Sequence, residues 1–219
     1  MKKIISLVAL IAITTGVFAQ KEKARLNAYA SYVFDDGFDS RYDAYNYYEG
    51  TIKGGFQWGV GMEYMIKPQA GLELLYLNRQ TNAPTVYQNG GAILNPKTAD
   101  FDLGINYIML SPKGYASAAN GKVEGYGGFM IGMGIVNIDN NADGHSATKT
   151  RFAWGLRLGA DLWASQKVGI KLEGNLLSVA QGAGGGLYFG TGGVGAGVST
   201  YSTIYQWGLG GGLTFRLGH

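Results

Sequence analysis

The sequence predicts an all-β fold, an eight-stranded antiparallel up-and-down barrel. Three observations carry this. Apolar residues alternate with polar residues or glycine through eight segments, the period-2 signature of strands with two unlike faces. Glycine supplies 37 of 219 residues and proline only 4, against ordinary shares of about 7% and 5%. Long and short connections also alternate along the chain, as up-and-down connectivity requires.

Composition removes several other classes. With 46% hydrophobic and 15% charged residues, the chain has enough apolar surface to order itself. It lacks the Gly-X-Y period of collagen. It has no cysteine, which excludes disulfides, thiolate metal sites, a cysteine nucleophile and a lipidated N-terminal cysteine. The body of the chain has no apolar run long enough for a membrane helix.

Residues 1–19, MKKIISLVALIAITTGVFA, read as a signal peptide. Lys2 and Lys3 form its basic start, an apolar core follows, and Val17 and Ala19 put small residues at the cleavage site, before Gln20. Residues 20–219 then form the barrel. Losing two lysines and no acids leaves 16 basic against 15 acidic residues, so charge gives no reason to expect a nucleic-acid partner.

The first segment, 25–34, puts Leu26, Ala28, Ala30, Tyr32 and Phe34 on one face. The second, 54–66, sets Phe56, Trp58, Val60, Met62, Tyr64 and Ile66 against Gln57, Glu63 and three glycines. The third, 70–80, sets Leu72, Leu74 and Tyr76 against Glu73, Leu75 and Arg79. The fourth, 99–110, sets Phe101, Leu103, Ile105, Tyr107 and Met109 against Asp100, Asp102, Gly104 and Asn106. The fifth, 122–138, has Val123, Phe129, Ile131, Met133 and Ile135 in phase, with Tyr126, Met130 and Val136 opposed; a bulge at Gly127-Gly128 would account for the conflict. The sixth, 151–163, sets Phe152, Trp154, Leu156, Leu158 and Leu162 against Arg157 and Asp161. The seventh, 168–179, sets Val168, Ile170, Leu172 and Leu176 against Lys171, Glu173 and Asn175. The eighth, 203–217, sets Tyr205, Trp207, Leu209, Leu213, Phe215 and Leu217 against Gln206, three glycines, Thr214 and Arg216. Residues 67–69, 111–121 and 164–167 would be the turns at one end. Residues 35–53, 81–98, 139–150 and 180–202 would be the loops at the other.

Alternation alone leaves open whether the apolar face is buried in a soluble barrel or turned to lipid. Three features favour lipid. The polar face combines glycine with charges of both signs, which suits a narrow lumen: Glu63, Glu73, Asp102, Arg157, Asp161, Lys171, Glu173 and Arg216 are expected to pair there as a plug. Tyr32, Trp58, Tyr64, Tyr107, Trp154, Tyr205 and Trp207 recur on the apolar face, as an interfacial aromatic girdle would. Strands of about 9–11 tilted residues also match the hydrocarbon thickness. A Lys or Arg turned to mid-bilayer costs about 2–4 kcal/mol, so charge placement fixes the register.

The last segment adds a resemblance. Gly212, Phe215 and Leu217 have the spacing of the terminal-strand signal read by the outer-membrane barrel assembly machinery, although Gly218 and His219 follow. With the leader and the eight segments, residues 22–217 resemble the small OmpA/OmpX-type outer-membrane β-barrel family. The resemblance implies a transmembrane barrel in the outer membrane of a Gram-negative bacterium. Its partners would be membrane lipid and, during biogenesis, the assembly machinery. No peptidoglycan-binding segment follows the last strand, so the barrel alone is expected.

Candidate chemistry is sparse. Asp139 to Gly144 matches half of a calcium loop, but Thr150 stands where such loops carry a bidentate Glu, so a polar turn is expected. The Gly-rich stretch 182–197 lacks the Lys-Ser/Thr of a phosphate loop. His145-Ser146 is a sequence neighbour pair, not a triad geometry. No enzyme, cofactor or metal is expected. Tyr42, Tyr45, Tyr47 and Tyr48 make residues 35–53 a candidate recognition loop, or an upward extension of the girdle. The expected function is structural or surface-binding, through the loops. A narrow diffusion channel, a lipid-modifying enzyme and a soluble secreted barrel are the alternatives.

Overall fold

The computed structural model describes residues 23–43, 46–89, 96–119, 121–140, 146–179, 186–188, 195–197 and 204–217. The signal peptide, Tyr45, His145 and His219 lie outside these residues, as do most of the Asp139–Gly144 motif and much of the Gly-rich stretch. Twelve strands occur among the described residues: β1 (Ala24–Val33), β2 (Asp36–Asp43), β3 (Asn46–Ile52), β4 (Gly55–Lys67), β5 (Ala70–Asn89), β6 (Lys97–Ser117), β7 (Val123–Asn140), β8 (Ser146–Trp163), β9 (Val168–Val179), β10 (Gly186–Tyr188), β11 (Gly195–Gly197) and β12 (Ile204–Leu217).

Eight of them close a ring in the order β1-β4-β5-β6-β7-β8-β9-β12, every pair antiparallel. The seam joins the first and last of these strands, from Ala24 opposite Leu217 to Val33 opposite Gly208. Closure pairs the edge groups that an open sheet would leave bare.

The walls are unequal. Strands β5 to β8 run 18–21 residues, whereas β1, β4, β9 and β12 run 10–14. The excess lies at the loop end. Much of the expected loops 35–53 and 81–98 is therefore strand: β2 and β3 form a hairpin, and β3 pairs with the upper part of β5 from Asn46–Asn89 to Gly50–Thr85. At the other end the expected turn 111–121 shrinks to residues 118–122, because β6 continues to Ser117. Gly121 takes φ +65°, the left-handed conformation that glycine adopts without penalty, and its N–H reaches the Ala118 carbonyl at 2.9 Å. No bulge interrupts the fifth segment: Gly127 and Gly128 stand in continuous register opposite Leu158 and Arg157.

The outer surface is apolar. Phe56, Trp58, Val60, Met62, Tyr64 and Ile66 of β4 are all exposed, as are Leu156, Leu158 and Leu162 of β8 and Leu209 and Leu213 of β12. A water-facing surface rarely presents so continuous an apolar band.

One strand corrects the expected facing. On β6, Phe101, Leu103, Ile105, Tyr107 and Met109 point inward and are buried, while Asp102 is exposed on the outside. The alternation was real, but its apolar half faces the core. The outward residues of β6 change character along the strand, from Asp100, Asp102 and Asn106 at the loop end to Ile108 and Leu110 nearer the turn. The loop half behaves as a water-facing sheet with a largely apolar interior, and the turn half as a lipid-facing one.

Candidate functional site

An eight-stranded barrel has an interior only wide enough for side chains. Here it is filled in two storeys. The turn half holds a charge network in which glycines make room. A Cβ on Gly61 would come within 2.6 Å of the Glu73 carboxyl carbon, and one on Gly71 within 3.0 Å of that of Glu63.

Around those two acids the cations gather. Lys113 Nζ lies 2.7 Å from Glu63 Oε2 and 3.2 Å from Glu73 Oε2. Arg157 Nη1 lies 2.6 Å from Glu73 Oε2, and its Nε donates to Glu173 Oε2 at 3.0 Å. Lys171 Nζ lies 2.7 Å from Asp161 Oδ1. Nearer the turns, Arg25 Nη1 is 3.0 Å from Glu124 Oε2, and Arg216 Nη2 is 3.7 Å from the same oxygen.

Neutral donors complete the shell. Tyr29 and Asn27 donate to Glu73 Oε1 at 2.6 Å each, Tyr115 to Glu63 Oε1 at 2.5 Å and Tyr126 to Glu173 Oε2 at 2.7 Å. Their rings also face cations: Lys171 Nζ is 4.5 Å from the Tyr126 ring centre, and the Arg157 guanidinium carbon 4.9 Å from that of Tyr29. Arg25, Lys113, Arg157, Lys171 and Arg216 thus balance Glu63, Glu73, Glu124, Asp161 and Glu173. Buried charges are tolerable when paired and hydrogen-bonded in this way, and expensive otherwise.

Seven of the eight expected lumen charges meet in this network. Asp102 does not: it faces outward, opposite Asn82 on β5 and Asp139 on β7. Sequence reasoning missed Arg25, Lys113 and Glu124. Arg25 shares the inward phase of β1 with Asn27 and Tyr29, and that phase was its available signal. Lys113 falls in the expected turn 111–121, and Glu124 in the segment of mixed phase.

The loop half is largely apolar, with a few buried polar side chains such as Gln57, Arg79 and Gln206. Leu75, Leu77, Phe101, Leu103, Ile105, Tyr107, Met109, Met130, Ile138 and Leu177 belong to one buried apolar cluster, against which Phe38 of β2 packs. The Tyr107 hydroxyl donates to Gln206 Oε1 at 3.0 Å. Tyr107 is 0% exposed, so it belongs to the core and not to the girdle, for the same reason that Asp102 lies outside.

Solved structures of similar fold exist. Neisserial surface protein A (NspA) is similar over 89% of this chain and 97% of its own, at 14% identity and a TM-score of 0.56. The outer membrane protein OprG of Pseudomonas aeruginosa is similar over 91% and 98%, at 15% identity and a TM-score of 0.52. The fold is that of the outer-membrane β-barrels. The outer membrane protease OmpT of Escherichia coli shares the architecture at 9% identity, over 90% of this chain and 97% of its own, with a TM-score of 0.52. No known family pattern matches the sequence, and no curated protein matches it.

In a barrel of this fold the exposed apolar band faces lipid. Tyr32, Trp58, Tyr205 and Trp207 are exposed at the loop end of that band, where the Phe34 N–H donates to the Trp207 carbonyl at 2.9 Å. Trp154 is half-buried beside Tyr205, ring centres 6.4 Å apart. Tyr64 is exposed at the turn end. A polar seam borders the band: the Tyr76 hydroxyl and Asn78 Nδ2 donate to Asn106 Oδ1 at 2.7 and 2.8 Å.

The proposed assembly residues line the seam strand. Phe215 stands opposite Leu26 and Val168, Leu217 opposite Ala24, and a Cβ on Gly212 would strike the Ala28 carbonyl. Of the loop tyrosines, Tyr42, Tyr47 and Tyr48 lie on the β2–β3 hairpin, where Tyr47 is half-buried.

Proposed function

We propose that this protein is a non-conducting outer-membrane barrel whose work is done by the sheet it raises above the membrane, as a structural or surface-binding component. The observation that carries this reading is the two-storey filling of the lumen. A water path along the axis would have to cross the ion-paired plug and then an apolar layer that includes Leu75, Phe101, Tyr107 and Met130. Neither storey offers ions a continuous wet lining. The long wall of β5 to β8, with the β2–β3 hairpin beside it, leaves an extramembrane surface for recognition.

Lipid contact and delivery by the barrel assembly machinery belong to the same proposal. So do export by cleavage after Ala19 and the assembly role of Gly212, Phe215 and Leu217. The fold also hosts a protease, but here the reading is binding, not turnover.

The test is single-channel recording on refolded chain lacking residues 1–19, with folding verified by heat-modifiable gel migration. Silent insertion is expected. Reproducible conductance steps would overturn the plug and make the protein a narrow channel. In parallel, a cysteine placed at Asp100 should react with a membrane-impermeant maleimide on intact cells, while one at Gln166 should not. The reverse pattern would invert the barrel and remove the surface role.

A further inference from the structure

In the loop half of the lumen, beyond Leu75 and Leu77 on β5, one polar cross-strand pair stands apart from the ion-pair network. Arg79 of β5 stands directly opposite Gln57 of β4, both pointing into the lumen. Each is 1% exposed. Among the described residues, the guanidinium nitrogens Nε, Nη1 and Nη2 of Arg79 find no hydrogen-bond partner, nor does either amide atom of Gln57. Five polar atoms, one set of them charged, are thus buried together and unsatisfied. Elsewhere in this lumen each buried cation meets a carboxylate.

The nearby acids offset this charge only from a distance, and neither hydrogen-bonds the guanidinium. Asp35 and Asp36 are close enough for their fields to reach Arg79, but both are engaged elsewhere. Asp35 Oδ1 accepts the Gly54 N–H at 2.7 Å, and Asp36 Oδ2 accepts the Tyr205 N–H at 3.1 Å. Tyr107, the other ionisable neighbour, spends its proton on Gln206.

We propose that Arg79 and Gln57 form a binding site for one small oxyanion in the loop half of the lumen. A guanidinium presents a planar fork of N–H groups that matches two oxygens of a phosphate, sulfate or carboxylate. The Gln57 amide adds N–H donors beside that fork, and its carbonyl accepts a hydrogen bond from any hydroxyl that the anion carries, as hydrogen phosphate does. The interior position restricts the ligand to a small free anion, since a lipid headgroup on the outer surface cannot reach it. One bound anion would neutralise the buried cation and satisfy both side chains.

The experiment uses inorganic phosphate with the chain refolded in detergent, phosphate being present during refolding because the pair is sealed. Equilibrium dialysis should return one phosphate per chain. The urea midpoint should rise with phosphate and saturate, as linkage to a single site requires. Sulfate should act in the same way, and chloride at equal ionic strength should not. Arg79→Lys keeps the charge but loses the fork, and should weaken phosphate binding about tenfold or more. Arg79→Met should lose the phosphate response and, without phosphate, be at least as stable as the parent, because a buried unpaired cation has gone. No saturable phosphate binding to the parent chain would overturn the site. So would equal stabilisation by chloride, or a phosphate response retained in Arg79→Met.

Discussion

Arg157 and Glu73, 84 positions apart in sequence and three strands apart around the ring, meet with Nη1 2.6 Å from Oε2. The contact spans the lumen and ties walls that share no backbone pairing. Arg157 also binds Glu173, so one side chain joins β5, β8 and β9.

Removing that cation leaves two acids short of a partner. Arg157→Leu should cost about 3–5 kcal/mol, the range for breaking a buried pair from one side. Urea unfolding in detergent micelles would measure it, with strand content by circular dichroism unchanged in the folded state. An unaltered midpoint would show that the plug adds nothing to stability.

The glycines beneath the acids should be as sensitive as the charges. Gly61→Val would push the Glu73 carboxylate off its partners and cost about 1–3 kcal/mol by overpacking. Gly114→Ala is the control: nothing lies within 4 Å of the added carbon, and a near-parental midpoint is expected. Equal losses in both variants would point to a general effect of replacing glycine.

The change of environment along β6 is open to a paired test. Leu110, 48% exposed in the lipid-facing half, should lose about 2–4 kcal/mol on conversion to Lys if it lies near the midplane. Asp102→Lys should be neutral or mildly favourable, because Asp102 stands opposite Asp139 and like charges across a strand pair repel. If Asp102→Lys were the damaging one, the lipid boundary would be misplaced.

Acid should loosen the foot of the β2–β3 hairpin. The Gly54 N–H, helped by Lys53, holds the Asp35 carboxyl below the ordinary carboxylate range. A depressed acid stabilises the folded form fully above the unfolded value of about 3.9, and that contribution is lost as pH falls through the lower folded value. The Gly54 amide resonance, followed by NMR in micelles, should therefore titrate below pH of about 3.9. A midpoint at or above that value would remove the tie.

Much of this is legible in the sequence, and β4 shows why. Its alternation runs unbroken from Phe56 to Ile66, and its outward face is apolar throughout. The strand lies wholly within one environment, so one rule of facing serves every residue. β6 crosses from water into lipid, and the meaning of its alternation reverses while the pattern persists. Period 2 reports two unlike faces and is silent about which solvent each one meets. Asp102 and Tyr107 were misassigned together for that single reason. The ion pairs were legible as a set of inward charges, but not as partners. Which Glu meets Arg157 depends on shear around a closed ring, and Lys113 entered the set only because β6 outlasted its expected end.

The unequal walls also give the molecule height. At a rise of about 3.3 Å per residue and a tilt of about 40°, the 21 residues of β6 climb roughly 50 Å, about twice an apolar band of about 25 Å. Half of the strand is then a stalk. Short flexible loops would keep a recognition surface down among the lipid headgroups. A hydrogen-bonded stalk instead holds its tip at a fixed distance and bearing, at little entropic cost on contact. On a crowded envelope, reach of that kind decides which neighbours can be touched at all.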